Sequence, residues 1–117
     1  NDEGKVKEMY GGAVILAAGG YGNDHTDSSL LQQYGKFDEA TLPTTNGQWA
    51  TGDGVKMGHA VGAKLVDMSE IQIHPTGFVN PKDPDAKTKF LAPEALRGVG
   101  GIIINQKGQR FVNELDL

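Results

Sequence analysis

The hydrophobic pattern is clearest at residues 13–18, where six apolar residues follow one another and end in Gly19 and Gly20. Short apolar runs without polar alternation are typical of a strand buried on both faces of a parallel sheet. Glycines after such a strand let the backbone turn sharply or approach a ligand closely. The pattern predicts an α/β fold, and on these residues the glycines fit either a tight turn or a ligand contact.

Two helices are predicted in the first half of the chain. Residues 27–35 read as a short helix that Thr26 or Asp27 could cap and that Gly35 could end in the left-handed conformation. A second helix is predicted over residues 54–63. Gly58 and Gly62 lie on one face of it and would allow close approach to another surface.

The start of the second helix is a candidate ligand site. Gly54 would leave free N–H groups there, which suit oxygen-rich ligands. The preceding Asp53 repels phosphate but can cap the helix or accept a hydrogen bond from a hydroxyl group. A plain helix cap and a ligand contact both fit.

The second half has a different pattern. Residues 64–73 predict two short strands or one bent strand, residues 78–89 a polar loop, and residues 102–112 a hairpin with Gly108 in the left-handed position of a bulged turn. The change of pattern predicts a domain junction near Met68, with domains at 1–68 and 69–117.

Three residues of this half are candidates for chemistry. Pro75 restricts His74 to extended geometry, which suits either a residue presented to a ligand or a packed core histidine. Glu94 and Arg97 are three residues apart on a helical turn that Pro93 could begin. They would form either a surface ion pair or a proton-carrying pair that lines a site.

Composition excludes several classes of function. The net charge of −4 without a basic patch argues against nucleic acid and anionic membranes, and no apolar run approaches the roughly 18 residues of a membrane span. The chain has no cysteine, and its three histidines lack metal-ligand spacing, so no metal site is expected. No hydrolase elbow, P-loop or dinucleotide fingerprint is present, so the main phosphate loop of any bound dinucleotide would lie outside this chain.

An ordered set of motifs resembles the flavoprotein subunit of the fumarate reductase/succinate dehydrogenase family, and within it the soluble NADH-dependent or flavocytochrome-type fumarate reductases. Each motif is weak alone, but the order is specific. The motifs are Ala-Ala-Gly-Gly-Tyr at 17–21, Ala-Thr-Gly-Asp-Gly at 50–54, His-Pro-Thr-Gly at 74–77, Glu-Ala-Leu-Arg-Gly at 94–98 and Gly-Gln-Arg-Phe-Val-Asn-Glu at 108–114.

The resemblance implies the end of a Rossmann-type α/β FAD domain joined to the start of an α+β capping domain, and it implies a role for individual residues. FAD would contact Gly19, Gly20 and Asp53. The substrate would be bound by His74 and Glu94, and a proton-delivery path would use Glu94 and Arg97. The implied reaction is hydride transfer from reduced flavin to fumarate, giving succinate, so the implied partners are a small dicarboxylate and the remainder of a longer chain.

Departures from the family pattern qualify the implied activity. Ala18 and Pro93 stand where the family commonly has threonine, and the threonine before Glu94 is often a substrate ligand. The family's proton-donating arginine would follow the last residues of this sequence, so the chain alone is expected to be inactive.

Two other classes of function stay open on the sequence. One is a related flavoenzyme acting on another unsaturated acid or ketone, of urocanate or ketosteroid type. The other is a non-catalytic α/β binding module. A soluble protein is expected, and mitochondrial, glycosomal and cytoplasmic locations all fit.

Overall fold

The computed structural model describes residue 4 and residues 6–116, so the predicted leading segment at 1–8 lies partly outside the described residues. Regular structure is sparse and is joined by long irregular segments. In chain order the elements are helix α1 (Leu30–Tyr34), a 3-10 turn (Glu39–Thr41), helix α2 (Asp53–Ala60), strands β1 (Gly77–Phe78) and β2 (Phe90–Leu91), and helix α3 (Ala95–Gly98). None of the described helices has the length and apolar character needed to cross a membrane.

The predicted buried strand at residues 13–18 is wrong for this chain on its own. These residues form no strand, and Val14 and Ile15 are 82% and 91% exposed. A strand needs neighbours that pair its N–H and C=O groups, and within the described residues the sheet contains only β1 and β2. The predicted strands at 64–73 are absent from the described structure for the same reason.

The accessible surface of the chain is large for its mass. It measures 9806 Å², against about 6,100 Å² for a compact monomer of this size. The buried apolar side chains are Leu30, Leu31 and Ala92. Most apolar side chains of the described residues therefore face solvent in the isolated chain.

Helix α1 begins later than predicted. Ser29, not Thr26 or Asp27, is its N-cap, and the Ser29 hydroxyl accepts a hydrogen bond from the Gln32 N–H at 3.2 Å. Gly35 is extended rather than left-handed, with φ −61° and ψ 141°. The cause lies beyond the helix, where the Glu39 carboxylate accepts the N–H groups of residues 36 and 37 and draws the chain away from a tight turn.

Helix α2 begins at a position that only glycine fits. Gly52, its N-cap, has φ 77°, and a Cβ atom there would lie 2.5 Å from Leu30 Cδ1 and 2.9 Å from Tyr21 Cβ. The helix ends at Ala60 rather than at residue 63.

The glycine face of α2 differs from the prediction by one turn. A Cβ at Gly54 would lie 3.2 Å from Ala18 Cβ, and one at Gly58 would lie 3.1 Å from Leu16 Cδ1, whereas Gly62 faces open space. Gly54 and Gly58 therefore bring the helix against residues 16–18.

The second half is organised by the short ladder between β1 and β2. The strands are antiparallel, with Gly77 opposite Leu91 and Phe78 opposite Phe90. The polar excursion predicted at 78–89 is confirmed as the connection between them. The predicted hairpin at 102–112 is confirmed in reduced form, since Ile104 bridges Arg110 and residue 108 has φ 72°.

Thr44 joins the two halves of the chain. Its N–H donates to the Lys87 carbonyl and its carbonyl accepts from the Lys89 N–H, both at 2.8 Å. Its hydroxyl donates to the Gly22 carbonyl at 2.5 Å. One buried residue thus binds the polar excursion to the segment that precedes α1.

Candidate functional site

The residues predicted to contact a cofactor come together at the start of α2. The Gly52 N–H donates to the Gly20 carbonyl at 3.1 Å, which places the glycine turn of Gly19 and Gly20 beside the helix N-terminus. Asp53 is the first helical residue, is exposed, and accepts a hydrogen bond from the Thr51 hydroxyl at 2.8 Å.

The backbone of this region is accessible to a ligand. A Cβ atom on Gly19 or Gly20 would meet nothing within 4 Å among the described residues, so the backbone there is open to close approach. Because the adjacent Asp53 is a carboxylate that accepts hydrogen bonds, the position suits a hydroxyl-bearing or neutral part of the cofactor better than a phosphate.

A buried aspartate that the sequence analysis missed supports this region. Asp24 is fully buried, and its carboxylate accepts hydrogen bonds from the Leu30 N–H at 2.7 Å and the Thr26 hydroxyl at 2.6 Å. It also pairs with the Lys56 ammonium on α2 at 2.9 Å. Burial raises the pKa of Asp24, but these donors and the cation outweigh it and hold the pKa below its usual value.

The candidate substrate residue His74 is fixed by its own backbone. Its Nδ1 lies 2.8 Å from the Thr76 carbonyl oxygen, which can only accept, so Nδ1–H is the donor. Thr76 is tied in turn to Ala92: its hydroxyl donates to the Ala92 carbonyl at 3.0 Å, and the Ala92 N–H donates back at 3.3 Å. The imidazole is therefore oriented, and its Nε2 is left for another partner.

His74 lines a small cavity between the two halves of the chain. The cavity has a volume of about 120 Å³, and its wall combines apolar and polar groups. Among the residues around it are Leu31, Glu39, Thr44, Asn46 and His74.

The second pair of candidate residues lies on α3, but their charged groups do not meet. In the described structure no ion pair joins Glu94 to Arg97. Glu94 is the exposed N-cap of α3, and its carbonyl, not its carboxylate, accepts the Arg97 N–H at 3.0 Å. The Arg97 guanidinium donates instead to the Glu114 carbonyl at 3.2 Å. Its Nε is buried without a hydrogen-bond partner among the described residues.

Glu114 is a second buried carboxylate that the sequence analysis missed. It accepts the Ile103 N–H at 2.6 Å, and Arg110 approaches it with Nε at 2.9 Å and with a terminal nitrogen at 2.5 Å. The Ile103 N–H first, and then Arg110, lower the pKa of Glu114 to about 2. Neither buried acid belongs to a recognisable sequence motif, and each depends partly on a donor more distant along the chain, Lys56 for Asp24 and Ile103 for Glu114.

Comparison with known proteins identifies the kind of chain that carries these features. Residues 1–117 match the family described as FAD binding domain. The chain is 54% identical over 104 residues to a fumarate reductase of Schizosaccharomyces pombe, covering 89% of this chain and 20% of that protein. It is 38% identical over 116 residues to an NADH:fumarate oxidoreductase of Klebsiella pneumoniae, covering 99% and 11%.

A third relative carries a different name. The chain is 36% identical over 115 residues to an L-aspartate oxidase of Clostridium perfringens, covering 98% of this chain and 22% of that protein. The chain thus spans about a fifth or less of the length of the two fumarate-reducing relatives. The two fumarate-reducing relatives confirm the resemblance to fumarate reductase flavoproteins, and since the family match extends over the whole sequence, the chain belongs to the FAD binding domain family.

Proposed function

We propose that this chain is part of an FAD-dependent fumarate reductase, which converts fumarate to succinate. The proposal is supported by the names of two relatives and by the separate hydrogen-bond patterns of His74 and Arg97. When bound, FAD supplies the hydride, which no side chain can carry. Residues 1–68 form part of the flavin-binding domain, and residues 69–117 begin a capping domain over the substrate.

The observation that carries the proposal is the state of Arg97. A guanidinium has five donors, and a buried donor without a partner is costly. Arg97 makes one hydrogen bond, to a neutral carbonyl, and its buried Nε has no partner among the described residues. A cation held in this way suits an anionic ligand, because its charge is not consumed by a carboxylate within the described structure.

His74 is the second group of the proposed substrate site. With Nδ1–H donated to the Thr76 carbonyl, the imidazolium form offers Nε2–H to a substrate carboxylate. The Thr76–Ala92 hydrogen bonds connect the His74 segment to the segment that leads into α3, the helix of Arg97. Two donors on two tied segments suit a substrate with a carboxylate at each end.

Glu94 and the glycine turn complete the proposed assignment. Glu94, exposed at the start of α3, would replace a proton that Arg97 has given up, or contact the substrate. Gly19, Gly20 and Asp53 would hold FAD, since the open backbone and the carboxylate suit a hydroxyl-bearing part of it.

The test uses the full-length, flavin-loaded protein and compares fumarate with crotonate, which has one carboxylate. We expect the protein to reduce fumarate and not crotonate, and His74→Ala to raise the KM for fumarate about 10- to 100-fold, the cost of one charge-assisted hydrogen bond. His59→Ala, on the exposed face of α2, is the matched control and should leave KM unchanged. An unchanged KM in His74→Ala would remove the carboxylate-binding role.

L-Aspartate and urocanate complete the substrate panel. Oxidation of L-aspartate without fumarate reduction would assign the chain to the activity named for the Clostridium relative. Reduction of urocanate in place of fumarate would contradict recognition of a dicarboxylate.

A further inference from the structure

Two arginines and one buried glutamate form a cluster behind α3. The Glu114 side chain is 2% exposed; its Oε2 accepts hydrogen bonds from two nitrogens of Arg110, and its Oε1 accepts the Ile103 N–H. Arg97 reaches the same residue but bonds only its carbonyl oxygen. The Glu114 carboxylate therefore neutralises Arg110 but not Arg97.

The difference follows from the donors already bound to the carboxylate, which occupy both of its oxygens. Glu114 already accepts three donors, namely Arg110 Nε, a terminal Arg110 nitrogen and the Ile103 N–H. Hydrogen bonds between an arginine and a carboxylate are charge-assisted and are among the strong ones in proteins. While Arg110 occupies the carboxylate, the nearby Arg97 keeps its positive charge unpaired within the described structure.

We infer that Arg110 is a positioning residue for Arg97: by occupying the Glu114 carboxylate, it prevents that carboxylate from neutralising the Arg97 guanidinium. This inference rests on the proposed role of Arg97 toward an anionic substrate. It adds that the availability of this cation is maintained by a second arginine, which itself does not touch the substrate.

Removing Arg110 should change the partner of Arg97. A buried carboxylate without its cation is strongly destabilised, and the cation already bonded to the same residue is Arg97. In Arg110→Gln the guanidinium of Arg97 is therefore expected to turn to the Glu114 carboxylate. The positive charge of Arg97 is then neutralised by Glu114 and is no longer available to the substrate.

The experiment compares three forms of the full-length, flavin-loaded protein: wild type, Arg110→Gln and the double variant Arg110→Gln/Glu114→Gln. The single variant should lose about 10- to 100-fold in kcat/KM for fumarate and in affinity for succinate measured calorimetrically without turnover. The double variant should recover most of both, because the competing charge is gone and the amide oxygen of the side chain that replaces Glu114 can still accept the Ile103 N–H. Arg110→Lys, which keeps the charge but offers one nitrogen in place of two, should fall between the single variant and wild type.

A purely structural role gives the opposite order, since removing a second member of the cluster would then lower activity further. The inference is overturned if folded, flavin-loaded Arg110→Gln keeps wild-type succinate affinity, or if the double variant is no better than the single one. Lys36→Gln/Glu70→Gln, which removes an exposed ion pair far along the chain, is the control and should leave both readouts unchanged. If wild type itself fails to reduce fumarate, the proposed function fails, whereas an active wild type with no recovery in the double variant contradicts the positioning role alone.

Discussion

The two halves of the molecule each contain a buried carboxylate that forms an ion pair, Asp24 in the first and Glu114 in the second, and the surroundings of the two differ. Asp24 pairs with Lys56 and accepts hydrogen bonds from the Leu30 N–H and the Thr26 hydroxyl. These contacts join α1 to α2. Glu114 also collects a cation and a backbone donor, but a second cation, Arg97, stays beside it without an ion pair among the described residues. The cation beside Asp24 is therefore paired, whereas one of the two cations beside Glu114 keeps its charge unpaired within the described structure.

Removing Asp24 should have the largest effect on stability. Asp24→Ala leaves Lys56 without its partner and the Leu30 N–H without an acceptor, and we expect a loss of about 3 kcal/mol in the free energy of unfolding. Asp27→Ala, an exposed acid in the same loop, is the control and should have little effect. Chemical denaturation of the full-length protein measures both, and equal effects of the two variants would contradict the role given to Asp24.

Gly52→Ala tests the packing that surrounds the Asp24 cluster. The substitution adds a Cβ against Leu30 and Tyr21 at a left-handed position, and overpacking and backbone strain together should cost about 2 kcal/mol. Gly62→Ala has the matched geometry, with φ 88° and open space, and should show the strain alone. A smaller loss in Gly52→Ala than in Gly62→Ala would show that the close contact does not constrain the fold.

Lowering the pH should remove the contribution of Glu114 to the stability of the fold. The folded-state pKa of Glu114 is about 2, below the usual 4.5, so the folded state binds this proton less readily than the unfolded state. Its stabilising contribution is full above 4.5 and is lost as the pH falls through 4.5 toward about 2. Thermal unfolding of wild type and Glu114→Gln should therefore differ above this range and converge within it, and a constant difference would contradict the assignment.

The smallest effect is expected at an exposed carboxylate. Lys36 and Glu70 are 2.6 Å apart, but their side chains are 49% and 66% exposed. Solvent and salt screen such pairs, so Lys36→Gln should leave the thermal midpoint within error of wild type at physiological salt. A loss as large as that of Asp24→Ala would mean that burial does not distinguish the two kinds of carboxylate.

The sequence predicted features whose causes are local. The existence of α1 and α2 follows from residue spacing, although the caps predicted for α1 were wrong, and the left-handed Gly108 follows from turn chemistry. The orientation of His74 is also local, because Pro75 follows it and the carbonyl of Thr76, two residues on, accepts a hydrogen bond from its ring.

Features with distant causes could not be predicted in this way. The apolar run at 13–18 has the composition of a strand, but pairing depends on neighbours that the described residues do not provide. The spacing of Glu94 and Arg97 permits an ion pair, yet Arg97 turns to a residue 17 positions away. Asp24 likewise depends on a lysine more than thirty residues later, and no periodicity records that contact.

The bonds made by Thr44 determine how the excursion at 78–89 can detach. The Thr44 N–H donates to the Lys87 carbonyl, and the Lys89 N–H donates to the Thr44 carbonyl. Both amide protons therefore become accessible to deuterium only when these two segments separate. Their exchange rates should therefore be coupled and should report how often this part of the chain lifts from the segment before α1.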